Sequence, residues 1–311
     1  MANFSRMKRL QIIALILIFF TQQTKGQQEQ SFSHFMFQQA VYNPAASGNQ
    51  ESIQLNGLIR QQWIGLNGAP ETYFVNIHSP LELLHGGIGA TILNDKIGPF
   101  SSVGLKLAYA YKTSLWQGDF STGLSVGLIN ESINYGYFNV QDDPLLSGTA
   151  VESGMIFNVD AGVYYQEKDR LYIGLSSTQL NQGKMIVAAG QTSLKRNIYL
   201  QGGYFFKLRQ IPQVVFHPSA MLVYTSKAPL QLNIGFLGEY NKKFWAGVTY
   251  KNQSAIGLMT GLNFRQIAIG YVYEINTTEL KNGGSHELMI GYKFLIEIEK
   301  GKKTYKNTRY L

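Results

Sequence analysis

Cysteine is absent from the 311 residues, which excludes disulfides, thiolate metal sites and a cysteine nucleophile. Charge is scarce as well. Only 15% of residues are charged, where an ordinary soluble domain carries about a quarter. Beyond the N-terminal segment there is no run of about 20 apolar residues, so the mature chain has no sequence for a membrane-spanning helix. Yet 45% of residues are hydrophobic while mean hydropathy is only −0.09. A membrane β-barrel reconciles these values. Its strands alternate apolar with small or polar residues, so one face meets lipid while the average stays near zero. The 32 glycines and the 19 tyrosines and 18 phenylalanines suit close packing and interfacial girdles. The formal net charge of +8 raises nucleic acid as a partner class. The basic residues are scattered over turns and the C-terminal tail, which points instead to a solvated rim beside anionic lipid.

The N-terminus has the three parts of an export signal. Arg6, Lys8 and Arg9 form a basic region, Ile12 to Phe20 an apolar one, and Thr24-Lys25-Gly26 a site with small residues at −3 and −1. Cleavage is predicted after Gly26. No cysteine follows the apolar region, so there is no lipoprotein attachment site.

From about Glu51 onward the period is two. Val103, Leu105, Leu107, Tyr109 and Tyr111 alternate with Gly104, Lys106, Ala108, Ala110 and Lys112. Phe244 to Tyr250, Ile267 to Tyr273 and Leu288 to Phe294 repeat the pattern, the last with Glu287, Met289, Gly291 and Lys293 facing the other way. About fourteen such segments are predicted, starting near Ser52, Glu71, Gly86, Ser102, Gly118, Met155, Arg170, Lys195, Gln213, Leu230, Lys243, Ala255, Gln266 and Ser285. An even number places both termini in the periplasm. The longest connections, Asn134 to Gly154, Ser177 to Leu194 and Asn276 to Gly284, are all odd-numbered, and several even ones are tight, which is the barrel parity of long outer loops and short periplasmic turns. The fold class is therefore all-β, a transmembrane antiparallel β-barrel with both termini periplasmic. Its predicted divisions are a signal peptide (1–26), an N-terminal periplasmic or lumen segment (27–50), the barrel (51–296) and a basic periplasmic tail (297–311). Fourteen strands enclose a lumen too wide for wall side chains to fill. It is plugged or it conducts, and the candidate plugs are the outer loops and residues 27–50.

Three stretches carry a family resemblance. They are Phe32-Ser33-His34-Phe35-Met36-Phe37 with Asn43-Pro44-Ala45; Arg60-Gln61-Gln62-Trp63-Ile64-Gly65 with Gly68-Ala69-Pro70-Glu71-Thr72 and His78-Ser79-Pro80-Leu81; and Gly87-Ile88-Gly89 with Asn94-Asp95-Lys96-Ile97-Gly98-Pro99. In order and spacing they resemble the PorP/SprF family of Bacteroidetes outer-membrane proteins, over residues 30–115. Ala46-Ser47-Gly48 departs from that pattern, as does the basic tail with Lys300, Lys302, Lys303, Lys306 and Arg309. The resemblance implies work in type IX secretion and gliding motility. It further implies that the barrel holds the C-terminal domain of a secreted adhesin at the cell surface, alongside periplasmic type IX or peptidoglycan-binding components.

The partner-binding residues expected on this reading lie in the outer connections: Trp63, Asn67, Asn94, Asp95, Lys96, Tyr135, Tyr137 and Phe138. Aromatic anchors dominate interface energetics. Each has a plainer role as well. Asn94 to Pro99 reads as a turn closing an outer connection, and Trp63 as a lipid-interface anchor. Asp142 and Asp143, with Asn139 and Glu152, fit no standard calcium loop. His34, His78, His85, His217 and His286 form no metal-binding spacing, and no GxSxG elbow occurs. No catalytic residue, metal or cofactor is assigned and no enzyme activity is expected. The other function considered is an outer-membrane channel or transporter for small solutes.

Overall fold

A computed structural model describes residues 31–137, 151–187, 190–226, 228–278 and 283–295. The signal segment, Phe138, Asp142, Asp143 and the basic tail lie outside the described residues.

Fourteen strands form one closed antiparallel barrel. They are β1 (Ser52–Gln61), β2 (Glu71–Leu81), β3 (Gly86–Ile97), β4 (Phe100–Leu115), β5 (Gly118–Asn134), β6 (Val151–Glu167), β7 (Leu171–Thr178), β8 (Asn197–Tyr204), β9 (Val214–Thr225), β10 (Gln231–Tyr240), β11 (Phe244–Lys251), β12 (Ala255–Phe264), β13 (Ile267–Asn276) and β14 (Ser285–Leu295). Phe206–Lys207 continues β8 along β9 after a break at Phe205. Each strand pairs with its neighbours in sequence, and β1 closes on β14 from Ser52↔Leu295 to Gln61↔His286. Closure satisfies every edge, which hydrocarbon requires.

The period-two pattern decides which way each side chain faces. Val103, Leu105, Leu107, Tyr109 and Tyr111 are 37–55% exposed and form the apolar outer face of β4. On the lumen face the alternate positions are polar and buried: Thr72, Asn76 and His78 on β2, Asn158 and Asp160 on β6. The barrel is thus apolar outside and polar inside.

The even-numbered connections gather at one end, the turn end, where β1 begins and β14 finishes; all but the eighth (205–213) are of two to four residues. Asn241 and Lys242 both adopt positive φ (51° and 57°), the conformation that matches a tight hairpin to strand twist. The opposite, loop end carries the longer connections. β4, β5 and β6, at 16 to 17 residues, outrun the roughly 9–11 needed to cross a bilayer, and β5 and β6 stay paired out to Asn134↔Val151, beyond the last β6–β7 pair at Ala161↔Ser177, so they project past β7 at the loop end. Connection seven, between β7 and β8, holds a hairpin of Lys184–Val187 with Gly190–Ser193, where the alternation predicts a long loop.

Two features differ from that reading. β3 runs through Ile97, so Asn94, Asp95 and Lys96 are strand and not a turn; the connection is only Gly98-Pro99, with Gly98 at φ +55°. Pairing with β2 (Thr72↔Asp95, Glu71↔Lys96) carries β3 past the turn-forming Asn-Asp pair. Likewise Val151 to Gly154 belong to β6, drawn into register with Asn134 to Glu131 of β5.

Candidate functional site: the plugged lumen and its outer mouth

Residues 31–50 fill the lumen. Two 3₁₀ turns (Phe35–Phe37 and Pro44–Ala46) flank one turn of α-helix (Gln39–Tyr42). Asn43 caps the second turn, its side-chain oxygen accepting from the Ala45 amide at 3.0 Å, and Pro44 supplies the fixed φ of a first helical position. The segment runs down the lumen from Ser31 near the loop end to Asn49 near the turn end.

Its apolar side chains meet apolar wall residues. Phe32, Phe35, Met36 and Tyr42 are buried among Leu58, Phe74, Tyr199, Met221, Leu237, Trp245 and Met289. Phe32 packs 5.0 Å from Phe74, and Tyr42 5.3 Å from Tyr199, between ring centroids. Farther down, Ala45 and Ala46 sit beside Tyr164 and Tyr172. Glycine on the wall permits this approach. A Cβ on Gly123 would lie 2.3 Å from the Ala45 nitrogen, and one on Gly87 2.3 Å from the Ser47 carbonyl oxygen. Wall side chains satisfy the segment's backbone. The Ser121 hydroxyl donates to the Ala45 carbonyl (2.7 Å), Ser176 to Tyr42 (2.8 Å), and the Lys112 ammonium to Gly48 (2.7 Å), while the Gly48 amide donates to His78 Nδ1 (3.2 Å).

Near the loop end an ionic cluster grips the segment's start. The Ser33 and His34 amides donate to the Glu287 carboxylate of β14 at 2.9 and 2.8 Å, and His34 Nδ1 stands 2.6 Å from the same group. Glu274 of β13 accepts from Arg60 of β1 (2.8 Å), from Lys251 of β11 (2.6 Å) and from the Ser33 hydroxyl. Arg60 and Lys251 each also donate to the Ser31 carbonyl at 2.7 Å. All these charged side chains are nearly inaccessible. Two cations facing two carboxylates inside a low-dielectric lumen hold together only as a set, because any one left alone would be an unpaired buried charge. The contrast is with the turn end, where Glu51 raises the Lys168 ammonium above its ordinary pKa from a fully solvated position.

Above the segment, toward the loop end, a cavity of about 230 Å³ opens on the β3–β9 side. Its floor is Phe32, Val41 and Tyr42. Leu93, Ile129, Ile156 and Tyr199 make an apolar belt, and Asp95, Lys106 and Glu131 supply charge. Lys106 pairs with Asp160 at 2.9 Å, and Asp95 accepts from Thr72 at 2.6 Å.

The expected partner-binding residues divide in this frame. Asp95 lines the cavity, whereas Asn94 and Lys96 alternate to the outer face of β3 and are exposed. Trp63 (φ +48°) and Asn67 lie in the connection after β1, Asn67 exposed and Trp63 half-buried. Tyr137 is 46% exposed beside the same connection, against Gly68. Tyr135 is buried instead, its hydroxyl donating to Glu152 at 3.2 Å. The sequence reading missed Arg60, Lys251, Glu274 and Glu287. Each is a charge on the lumen phase of a strand near the loop end, and that signal was available.

Fold and interior together define an outer-membrane β-barrel closed by its own N-terminal segment. The chain belongs to the PorP/SprF family: the type IX secretion system membrane protein PorP/SprF model matches residues 24–292. It is an outer-membrane barrel of type IX secretion. Among solved structures it resembles the toluene transporter TbuX of Ralstonia pickettii (14% identity, TM-score 0.50, 81% of this chain and 92% of that one). It also resembles the CymD monoaromatic hydrocarbon channel (14%, TM-score 0.50, 83% and 92%). At such identity the likeness concerns the barrel fold alone. No curated protein matches the chain significantly.

Proposed function

We propose that this barrel holds a secreted cell-surface protein, an adhesin, by its C-terminal domain at the loop-end mouth. The carrying observation is the plug. A lumen crossed by residues 31–50 and tied to strands all round the wall is built to be occupied, while the cavity above it and the projecting β5–β6 wall offer a seat open to the outside. Trp63, Asn67, Asp95 and Tyr137 border that mouth, with Tyr135 supporting it from beneath and Phe138 following Tyr137 in sequence; Asn94 and Lys96 flank it on the outer face. On this reading the turn end and both termini are periplasmic, Gly26 is the last residue of a cleaved signal, and the periplasmic side is free to meet type IX or peptidoglycan-binding components.

The test is affinity purification of the tagged barrel from detergent-solubilised outer membranes, with co-purifying proteins identified by mass spectrometry. A large secreted protein retained by its C-terminal domain is the expected result. A bare barrel that conducts in planar bilayers would overturn the anchoring role and return the molecule to the channel class.

A further inference from the structure

The two halves of the turn end differ in charge. On the β1–β7 side bases are matched: Lys168 pairs with Glu51 at 3.0 Å and Arg170 with Glu167 at 2.7 Å. On the β8–β14 side lie Lys207, Arg209, Lys242, Lys243, Arg265 and Lys293, all exposed, and among the described residues none of them makes an ion pair. Among the described residues the one acid at that end of these strands is Glu239, half-buried, hydrogen-bonded to Asn263 at 2.8 Å and in the field of Lys242 and Lys293.

Aromatic rings stand at the same level on the outer face. Tyr240, Phe244 and Phe264 are 52%, 60% and 61% exposed at the strand ends from which these bases emerge. The Arg265 guanidinium lies over the Phe264 ring, 5.4 Å from its centroid. Rings of this kind mark the depth where hydrocarbon gives way to headgroups. Long basic side chains beside them lay their stems on the apolar band and lift their charges into the headgroup layer.

We propose that this half of the turn-end rim is a binding surface for anionic phospholipid headgroups. Charge complementarity selects the headgroup, and the interleaved aromatics select a lipid over a soluble acidic protein, since they fix the bases at bilayer depth. Basic residues near an anionic membrane surface attract it in proportion to their number, over a Debye length. The surface therefore orders a patch of acidic lipid on one flank of the barrel, whichever leaflet it meets.

The experiment uses the full barrel in detergent micelles. Dioleoyl phosphatidylglycerol or dioleoyl phosphatidylcholine is added, and the lipid retained is counted by native mass spectrometry. At 50 mM salt, phosphatidylglycerol should be retained at least tenfold more than phosphatidylcholine, and the preference should vanish near 0.5 M salt. Replacing Lys207, Arg209, Lys242, Lys243 and Arg265 together by Gln should bring the ratio close to one, with the heat-shift of the folded barrel on gels unchanged. Lys168→Gln with Arg170→Gln should leave the ratio intact. Equal retention of both lipids by the unaltered barrel would overturn the proposal and leave the rim to an acidic protein. So would an equal loss from the Lys168 and Arg170 control, or a preference indifferent to salt.

Discussion

The ionic cluster at the head of the plug makes the sharpest demand. Glu274→Ala removes the one carboxylate shared by Arg60 and Lys251, whose side chains are 5% and 6% exposed. Breaking a buried pair by deleting one partner costs about 3–5 kcal/mol. At about 1.4 kcal/mol per tenfold change, that is roughly two to three and a half orders of magnitude in the docked-to-released ratio of the segment. The plug is not held by charge alone. Burying Phe32, Phe35, Met36 and Tyr42 contributes roughly 1.5–3 kcal/mol each, as an upper bound. The variant should accordingly remain docked most of the time and open in bursts. Single-channel recording in planar bilayers reads this directly: near silence for the unaltered barrel, and openings at least a hundredfold more frequent for Glu274→Ala. The reasoning also predicts a rescue. With Glu274→Leu and Lys251→Met combined, one buried cation leaves with one buried carboxylate, and replacing a buried ion pair by apolar groups is often neutral or stabilising. Arg60 still faces Glu287 at 3.7 Å, and Glu287 keeps His34 and two backbone amides, so the double variant should be nearly as quiet as the parent. A silent Glu274→Ala barrel, or a double variant as leaky as the single one, would refute the account of the cluster as the plug's tether.

Other outcomes follow from the same geometry. Gly123→Leu drives a side chain into Ala45 and should displace the lower plug, raising conductance while the barrel keeps its heat-shift on gels. Deleting residues 138–150 should abolish recovery of the secreted partner and leave β5 and β6 paired, as judged by circular dichroism. Tyr135→Phe removes the hydroxyl that donates to Glu152 and should cost about 0.5–1.5 kcal/mol in urea unfolding. Tyr137→Ala should weaken partner binding without moving that transition. Lys168→Ala, at a solvated pair, should change neither.

Much of the barrel was legible because its determinants are local. Strand starts inferred from alternation at Ser52, Glu71, Gly86, Gly118, Ala255 and Ser285 coincide with those observed, since a lipid-facing strand must keep its phase. The errors fall where pairing with a neighbour overrides local chemistry, as at Asn94-Asp95 and at Val151. Residues 27–50 could be named as one of two candidate plugs from their aromatics, but their shape could not be foreseen. The contacts of Ser33 reach Glu274 and Glu287, 241 and 254 residues away, and nothing local announces them. The lumen phase of Arg60, Lys251, Glu274 and Glu287 can be read from the alternation of each strand, but which of them meet is set only when the barrel closes.

That closure bears on the order in which the molecule is made. The acceptor for the Ser33 and His34 amides belongs to β14, the last strand of the barrel to be synthesised, and Arg60 belongs to β1, the first. The seat for the N-terminal segment is therefore built from both edges of the seam and does not exist until β1 has found β14. The segment arrives first and docks last. A barrel caught before its seam has zipped lacks its stopper as well as its wall, so the same residues that report a filled lumen report a closed seam.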